Sequence, residues 1–275
     1  MPRLFRLLLA YDGGGYHGWQ RQAQGEPTIQ EILEDRLAQL CKAPVVLHGA
    51  GRTDAGVHAL GMVAHFQTRA ALPVVAFSKG LNALLPDDIR VLAAEEAPSG
   101  FHSRFSALAK TYRYDFHTGA VQLPTVRRYQ AHYPADFVPD RLRTALAALV
   151  GVHDFSSFER SGSRDKEAGD SRGAVRTLFS VQCNPSLVSH GSWSLRVTGD
   201  GFLRQMVRIL AGTLIAIGQG KIEPEKLPAI LAARNRTAAG PTAPAHGLFL
   251  ERIYYPHTIF PARPADTPCS HSPFP

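Results

Sequence analysis

Apolar side chains recur along the chain with two spacings, one typical of strands and one typical of helices. In the first half, a capping box formed by Thr28 and Glu31 predicts the start of a helix, and an apolar stripe at helical spacing follows it. The elements predicted in this half are a strand at 4–11, a helix from Thr28 that ends before Pro44, strands at 45–47 and 61–68, a helix at 74–84 and a strand at 89–95.

The second half repeats this order of elements. A helix begins at Pro139 and ends before Gly151, with Val138 and Leu142 on its apolar face. The other predicted elements are strands at 108–117, 175–183, 192–198 and 247–255 and helices at 202–217 and 224–234. Two β-α-β-β-α-β units predict an α+β protein with two ferredoxin-like subdomains, which share a mixed, mainly antiparallel sheet with a central cleft.

This repeat predicts an N-terminal subdomain at 1–105 and a C-terminal subdomain at 106–257. Within the second, the segment 159–172 is polar and contains no aliphatic side chain larger than alanine, which predicts a mobile loop. Residues 258–275 are rich in proline and show no periodicity, so we expect a disordered tail there.

The composition favours a protein with an anionic partner. The chain has 275 residues, with 30 Lys and Arg against 23 Asp and Glu, and such an excess of positive charge is typical of proteins that bind nucleic acids. No apolar run approaches the roughly 20 residues that span a bilayer. Three scattered cysteines fit neither a zinc site nor a disulfide framework, which indicates a reducing compartment. We therefore expect a cytoplasmic protein without a membrane segment.

The segment 47–68 carries the strongest candidate for chemistry. Glycines surround the tripeptide Arg52-Thr53-Asp54, and they permit close approaches that side chains would block. A carboxylate beside an arginine stays ionised and can meet a substrate, so Asp54 is a candidate nucleophile. The alternative is a hairpin turn with an ion pair on the surface.

A second candidate loop, at 16–22, combines aromatic rings with side-chain amides. Such a loop is typical of an RNA-facing surface, where rings stack on bases and amides form hydrogen bonds. The alternative is that Trp19 fills the edge of the core.

These two segments resemble the signatures of one known family. GRTDAGVHA at 51–59 and YDGGGYHGWQRQ at 11–22 resemble motifs of the tRNA pseudouridine synthase A family, the second with one extra glycine. The resemblance covers about 3–257 and implies the pseudouridine synthase fold. It also implies that Asp54 is the catalytic nucleophile and that Arg52 assists or holds the flipped uridine. Gly61-Met62 departs mildly from the Gly-Gln of the family, and the long 159–172 loop is the main departure.

Three further side chains match positions of this family. Tyr112, in RFSALAKTYRY, matches a tyrosine that stacks on the target uracil, although a strand tyrosine by itself indicates only packing. Arg208 matches the partner of the catalytic aspartate, and Leu248, in HGLFL, matches an apolar residue of the active site. On their own, Arg208 is a surface arginine and Leu248 a strand leucine. Lys110 shares the strand face of Tyr112 and is a candidate phosphate contact.

The resemblance implies a homodimer that isomerises uridine to pseudouridine in the anticodon stem-loop of tRNA, at positions 38–40. The reaction has no redox or phosphoryl-transfer step, so we expect no cofactor and no metal. A non-catalytic RNA-binding protein on the same fold is an alternative, against which Asp54, Tyr112 and Arg208 together argue.

A metal hydrolase is a third possibility, because histidines surround Asp54 in the sequence. These are His48, His58 and His65. Their spacing matches no HExxH motif and is rare for zinc. A serine hydrolase is disfavoured as well, because its GxSxG motif is missing. We therefore disfavour this interpretation.

Overall fold

The computed structural model describes residues 1–23, 25–162, 172–257 and 259–260. The chain forms two compact units. The first comprises Met1–Lys110 and the segment that begins at Phe249, and the second comprises Thr111–Leu248. The domain limits predicted at 105 and 257 stay predictions, and the final strand is the main element on which they differ from these units. Most of the predicted mobile loop and of the predicted tail lies outside the described residues.

The first unit contains the predicted order β-α-β-β-α-β. Its elements are β1 (Arg3–Tyr11), α1 (Ile29–Cys41), β2 (His48–Gly49), β3 (His58–Thr68), α2 (Lys79–Asn82) and β4 (Ile89–Glu96). Strand β1 pairs antiparallel with β3 and with β4, and β2 pairs antiparallel with β3. The strand order is therefore β4-β1-β3-β2, and one further strand, described below, also borders β3.

Helix α1 begins where the capping box predicts. The Thr28 hydroxyl accepts a hydrogen bond from the Glu31 amide at 3.4 Å, so one of the free amides at the helix start has a partner. The helix then buries an apolar stripe that includes Ile29, Leu33 and Leu37. It ends at Cys41, because Lys42 adopts a left-handed conformation with φ of 56° before Pro44 is reached.

The strand predicted at 45–47 is wrong, and β2 starts only at His48. The reason is that side chains of α1 bind the backbone of Leu47. The Leu47 amide donates to Glu34 Oε1 at 2.9 Å, and its carbonyl accepts from Gln30 Nε2 at 3.0 Å. The helix predicted at 74–84 is also divided, into a 3-10 helix at Val74–Phe77 and the short α2.

The second unit carries most of the remaining elements. They are β5 (Ala109–His117), β6 (Ala131–His132), α3 (Leu142–Leu149), β7 (Gly151–Asp154), β8 (Val175–Pro185), β9 (Ser192–Gly199), α4 (Met206–Gly218) and α5 (Leu227–Ala232). The last strand, β10 (Leu248–Tyr254), belongs to the first unit from Phe249 onward. The strand order in this unit is β5-β9-β8-β7, with β6 parallel to β5. Strand β8 is antiparallel to β7 and β9. The predicted α+β class with mainly antiparallel pairing is confirmed.

Three details of the second half differ from the prediction. The two short strands β6 and β7 carry too few residues to show a period, and the sequence does not reveal them. Val138, expected on an apolar face, is exposed because the chain forms a 3-10 helix at Pro139–Arg141 before α3 starts. Helix α4 starts at Met206, four residues later than predicted, because Gln205 has φ of 61°.

The core of the first unit is aromatic at its centre. Phe5, Phe66 and Phe77 are buried, and their ring centroids lie 4.5 to 5.6 Å apart. In the second unit the residues of α4 are nearly all buried. Within the described parts of the chain, no helix combines the length and the apolar character that crossing a membrane requires.

Candidate active site

The loop between β2 and β3, residues 50–57, is packed closely against the turn that follows β1. A Cβ atom at Gly18 would lie 2.6 Å from the Thr53 carbonyl oxygen, and Gly18 has φ of 91°. At Gly13 a Cβ would lie 2.0 Å from the Val57 carbonyl oxygen. Only glycine fits at these two positions, so the two motifs that are separate in sequence form one structure.

Hydrogen bonds fix the main chain on both sides of Asp54. The Trp19 amide donates to the Thr53 carbonyl at 3.0 Å, and the Val57 amide donates to the Asp54 carbonyl at 3.1 Å. The Tyr11 hydroxyl and the Thr53 hydroxyl are 2.9 Å apart in the buried interior. The Asp54 side chain is half-buried, whereas that of Arg52 is exposed. The carboxylate therefore has a fixed backbone, and the guanidinium lies at the surface.

Lys110 holds the start of the same loop. Its Nζ atom donates to the Ala50 carbonyl at 2.7 Å and would lie 3.2 Å from a Cβ atom at Gly51. The sequence indicated a phosphate contact for Lys110 and did not reveal this role, because the two residues are sixty positions apart. A side chain larger than glycine at position 51 would crowd the ammonium group.

Trp19 is buried, with 2% of its surface exposed. A Cβ atom at Gly49 would lie 2.6 Å from the indole ring, so the ring packs directly on the backbone of β2. The interpretation of Trp19 as a residue that stacks on RNA bases is therefore wrong, and the packing alternative is confirmed. The ring packs under the backbone that leads into the 50–57 loop and is too buried to stack on a base.

Of the three histidines near Asp54 in sequence, His58 lies apart from the other two. His58 Nδ1 is 3.1 Å from the Gly13 amide and 3.0 Å from Asp12 Oδ1, and its ring stacks on Phe249. His65 is seven positions further along β3, or about 23 Å at the usual rise of a strand. The described residues contain no group of three His, Cys, Asp or Glu side chains placed to hold a metal ion.

A separate histidine cluster lies where β2 pairs with β3. The rings of His48 and His65 are stacked with centroids 5.0 Å apart, and the His102 ring meets His65 edge-on at 4.6 Å. Burial, together with the neighbouring rings of His102 and His48, lowers the pKa of His65 to about 4. Burial, His48 and Arg104 also lower the pKa of His102. Both lowered pKa values favour the neutral form of the imidazole at neutral pH.

The other predicted site residues belong to the second unit. Tyr112 is buried on β5, and its ring meets Phe202 edge-on at 5.0 Å. This contact is the packing expected of a strand tyrosine. That Tyr112 stacks on a uracil stays a prediction.

The segment 243–247 contacts Arg208 and leads to Leu248. Arg208 is half-buried in the first turn of α4, and its Nε donates to the Ala243 carbonyl at 2.8 Å, while the Ala243 amide donates to the Arg208 carbonyl at 3.0 Å. The Tyr114 hydroxyl donates to the Pro244 carbonyl at 3.0 Å. This segment leads into β10, whose first residue is the buried Leu248. The pairing of Arg208 with Asp54 stays a prediction.

Comparison with known proteins identifies the family of the chain. The family model described as tRNA pseudouridine synthase matches residues 8–106 and 145–256. The tRNA pseudouridine synthase A 1 of Desulfotalea psychrophila is 45% identical over 249 residues, which are 90% of this chain and 98% of the relative. The enzyme of that name from Bacillus pumilus is 43% identical over 91% of this chain and 98% of its own length, and that of Geotalea uraniireducens is 45% identical over 92% and 100%. The chain therefore belongs to the tRNA pseudouridine synthase family.

Proposed function

We propose that this protein isomerises uridine to pseudouridine in tRNA, with Asp54 as the nucleophile. The observation that carries the proposal is the loop 50–57, where a half-buried carboxylate stands on a backbone fixed by Tyr11, Trp19 and Lys110. A residue held in this way meets a substrate in one orientation, which is a large part of what catalysis requires. Membership of the family supports the same activity.

The reaction divides into bond changes that a carboxylate can assist. The bond between C1′ of the ribose and N1 of uracil breaks, the uracil turns, and a new bond joins C1′ to C5. The proton on C5 leaves, and N1 acquires one. Asp54 attacks the ribose or the base, or stabilises the cationic sugar as carboxylates do in glycosidases. No electron or phosphoryl group is transferred, so this chemistry requires no cofactor.

The remaining site residues take roles around Asp54 in this proposal. The exposed Arg52 holds the uridine after it has turned out of the stem. Tyr112 stacks on the uracil, Leu248 packs beside it, and Arg208 pairs with Asp54. The support for these roles is the match of each residue to a family motif.

The finer parts of the proposal concern substrate and assembly. We infer that the target uridines lie in the anticodon stem-loop, at positions 38–40, and that the protein acts as a cytoplasmic homodimer. The net charge of +7 supports an RNA partner, because positive charge attracts the phosphate backbone. Size-exclusion chromatography with light scattering tests the dimer, and mapping pseudouridine in treated tRNA tests the positions.

The replacement Asp54→Asn separates this proposal from a non-catalytic RNA-binding protein. We expect turnover to be lost, because the amide is a poor nucleophile. The tRNA dissociation constant should stay within about tenfold, or 1.4 kcal/mol, because many phosphate contacts contribute to binding. Tritium release from tRNA labelled at C5 of uridine measures the first quantity, and filter binding measures the second.

A matched control is Asp87→Asn, which removes an exposed carboxylate from the same unit. This variant should release tritium at the wild-type rate. Turnover by Asp54→Asn near the wild-type level would remove Asp54 from its proposed role. Absence of tritium release by the wild-type protein itself would favour the RNA-binding alternative.

A further inference from the structure

A cluster of aromatic rings lies where β2 pairs with β3. It consists of His48, His65, His102 and Phe105, and we refer to these four residues as the ring platform. The His102 ring contacts both stacked rings, with centroids 4.6 Å from His65 and 5.9 Å from His48, and its centroid is 4.3 Å from that of Phe105 with the planes inclined by 32°. His48 and Phe105 are the exposed members of the platform.

Hydrogen bonds hold the ring platform in place. His102 Nδ1 accepts from the Arg104 amide at 3.1 Å and from the Phe105 amide at 3.3 Å. His65 Nδ1 accepts from the Ser103 amide at 3.1 Å, and the Ser103 hydroxyl donates to the His48 carbonyl at 2.7 Å. The turn that carries Phe105 is therefore fixed relative to β2 and β3. A ligand that binds there meets a surface that is already ordered.

Phe105 stands out because 76% of its surface is exposed on an ordered turn. Full burial of a phenylalanine side chain contributes about 1.5–3 kcal/mol, which this position does not realise within the chain. The ring has His102 on one side, and the Arg104 guanidinium lies 5.6 Å from its centroid. An exposed ring next to an arginine has the composition of a surface on which unpaired bases stack.

The chemistry of the platform favours a base over a phosphate as its ligand. The lowered pKa values of His65 and His102 keep these two imidazoles neutral at pH 7, so the interior of the platform offers ring faces and not charge. Positive charge lies beside it, where the exposed Arg104 borders the Phe105 ring. This arrangement matches a nucleotide, whose base is flat and whose phosphate is anionic.

One member of the ring platform, His48, lies on β2, the strand that leads into the loop of Asp54. His48 is only six residues before Asp54, and a chain of six residues spans at most about 20 Å. Lys110 contacts the chain that joins them, at the Ala50 carbonyl. A nucleotide on the platform would therefore belong to the same RNA that presents a uridine to Asp54.

We propose that the ring platform binds an unpaired nucleobase of the tRNA by stacking on the exposed ring of Phe105. This inference rests on the proposed function, since it takes the tRNA of the Asp54 loop as its ligand. It adds a specific contact that holds the RNA strand while the target nucleotide is turned out of the stem.

The test compares Phe105→Leu with Phe105→Trp, using an unmodified tRNA transcript. Leucine keeps an apolar side chain but has no aromatic face, whereas tryptophan offers a larger one. We expect Phe105→Leu to raise the dissociation constant about tenfold and Phe105→Trp to keep it within about threefold. The single-turnover rate of Phe105→Leu at saturating tRNA should stay within about threefold of wild type, because Phe105 does not touch the reacting atoms. Leu92→Ala, an exposed apolar position on β4, should change neither quantity.

The outcomes separate this proposal from the proposed function. If Phe105→Leu binds the transcript as tightly as wild type, the proposed stacking on Phe105 is wrong. Tritium release by the wild-type protein still decides the activity in that case. If the wild-type protein releases no tritium, the proposed function is wrong, and the difference between leucine and tryptophan still decides the stacking. A change in the sedimenting mass of Phe105→Leu with unchanged tRNA affinity would make this surface a contact between protein copies and would overturn the proposal.

Discussion

Thr53 directly precedes Asp54, and two hydrogen bonds hold it in place. Its carbonyl accepts from Trp19, and its hydroxyl meets the Tyr11 hydroxyl in the interior. Because Thr53 precedes Asp54, a rotation of the Thr53 peptide would move the carboxylate. Misplacement of a catalytic group by about 1 Å can reduce a rate about a hundredfold. Tyr11 is thus a positioning residue that acts through Thr53.

Replacement of Tyr11 by phenylalanine tests this role. The change removes one hydroxyl and leaves the Thr53 hydroxyl buried without that partner, which costs about 1–3 kcal/mol of stability. We expect the single-turnover rate at saturating tRNA to fall at least about tenfold, with little change in the tRNA dissociation constant. Tritium release and filter binding measure the two quantities.

A double-mutant cycle provides the control. Thr53→Val removes the other hydroxyl, and the rate effects of Tyr11→Phe and Thr53→Val should not add in the double variant, because both remove the same bond. Tyr129→Phe, at an exposed tyrosine, should leave the rate unchanged. Additive effects would show that the two hydroxyl groups act independently.

At the scale of elements, α1 has a well-defined start, and its side chains also fix the segment that leads through β2 to the loop of Asp54. Thr28 caps the helix, while Gln30 and Glu34 bind the backbone of Leu47, directly before β2. The helix therefore determines where the strand pairing of β2 begins. A weaker start of α1 should therefore disturb the loop of Asp54 and lower the stability of the first unit.

Thr28→Ala removes the capping oxygen. We expect the free energy of unfolding to fall by about 1 kcal/mol, the usual loss for such a cap. Urea denaturation followed by the circular dichroism of the helices measures it. Thr28→Ser keeps the oxygen and should lose clearly less, so equal stability of the alanine and serine variants would contradict a capping role.

Local signals explain which elements the sequence could predict. The capping box of α1 and the alternating residues of β1 and β3 depend on near neighbours in the chain, and the structure contains these elements. The strand β2 was misplaced because the bonds that fix Leu47 come from α1 side chains. The strands β6 and β7 are too short to show an alternation of apolar and polar residues. They are defined by their pairing with β5 and β8, which is recognised only in the fold.

The candidate site shows the same division between local and distant information. The motif predicted that Asp54 and Arg52 lie in a glycine loop, and the structure places them there. The sequence did not indicate that Tyr11, Trp19 and Lys110 hold this loop, because these contacts join distant positions. The signal that was available was the glycine at each close approach, since two backbones in contact leave no room for a Cβ atom.

At the scale of the whole molecule, the histidine cluster links folding to pH. The pKa of His65 is about 4 in the folded protein and 6.5 in its ordinary state. Between these values the unfolded chain binds more protons than the folded one, so stability falls as the pH drops from 6.5 towards 4. We expect the loss on going from pH 7 to pH 5 to contain a contribution from His65 on the order of 1 kcal/mol.

His65→Asn tests this contribution, because asparagine offers an oxygen to the Ser103 amide but does not gain a proton in this range. Urea midpoints at pH 7 and pH 5 should differ less for this variant than for wild type. His17→Asn removes an imidazole from the surface of the same unit and serves as the control. An equal loss in wild type and His65→Asn would show that other groups account for the acid sensitivity.

The strand β10 has a consequence for the order in which the molecule is completed during synthesis. Phe249 and Leu250 pair in parallel with His58 and Ala59, directly after the loop of Asp54. The second unit is contiguous in the chain, whereas the first unit needs the segment that begins at Phe249. On the ribosome, where segments emerge in sequence order, the part of the protein that is made first is therefore finished last. The loop of Asp54 should reach its final conformation only after β10 has emerged. We therefore expect that an incomplete chain does not modify RNA.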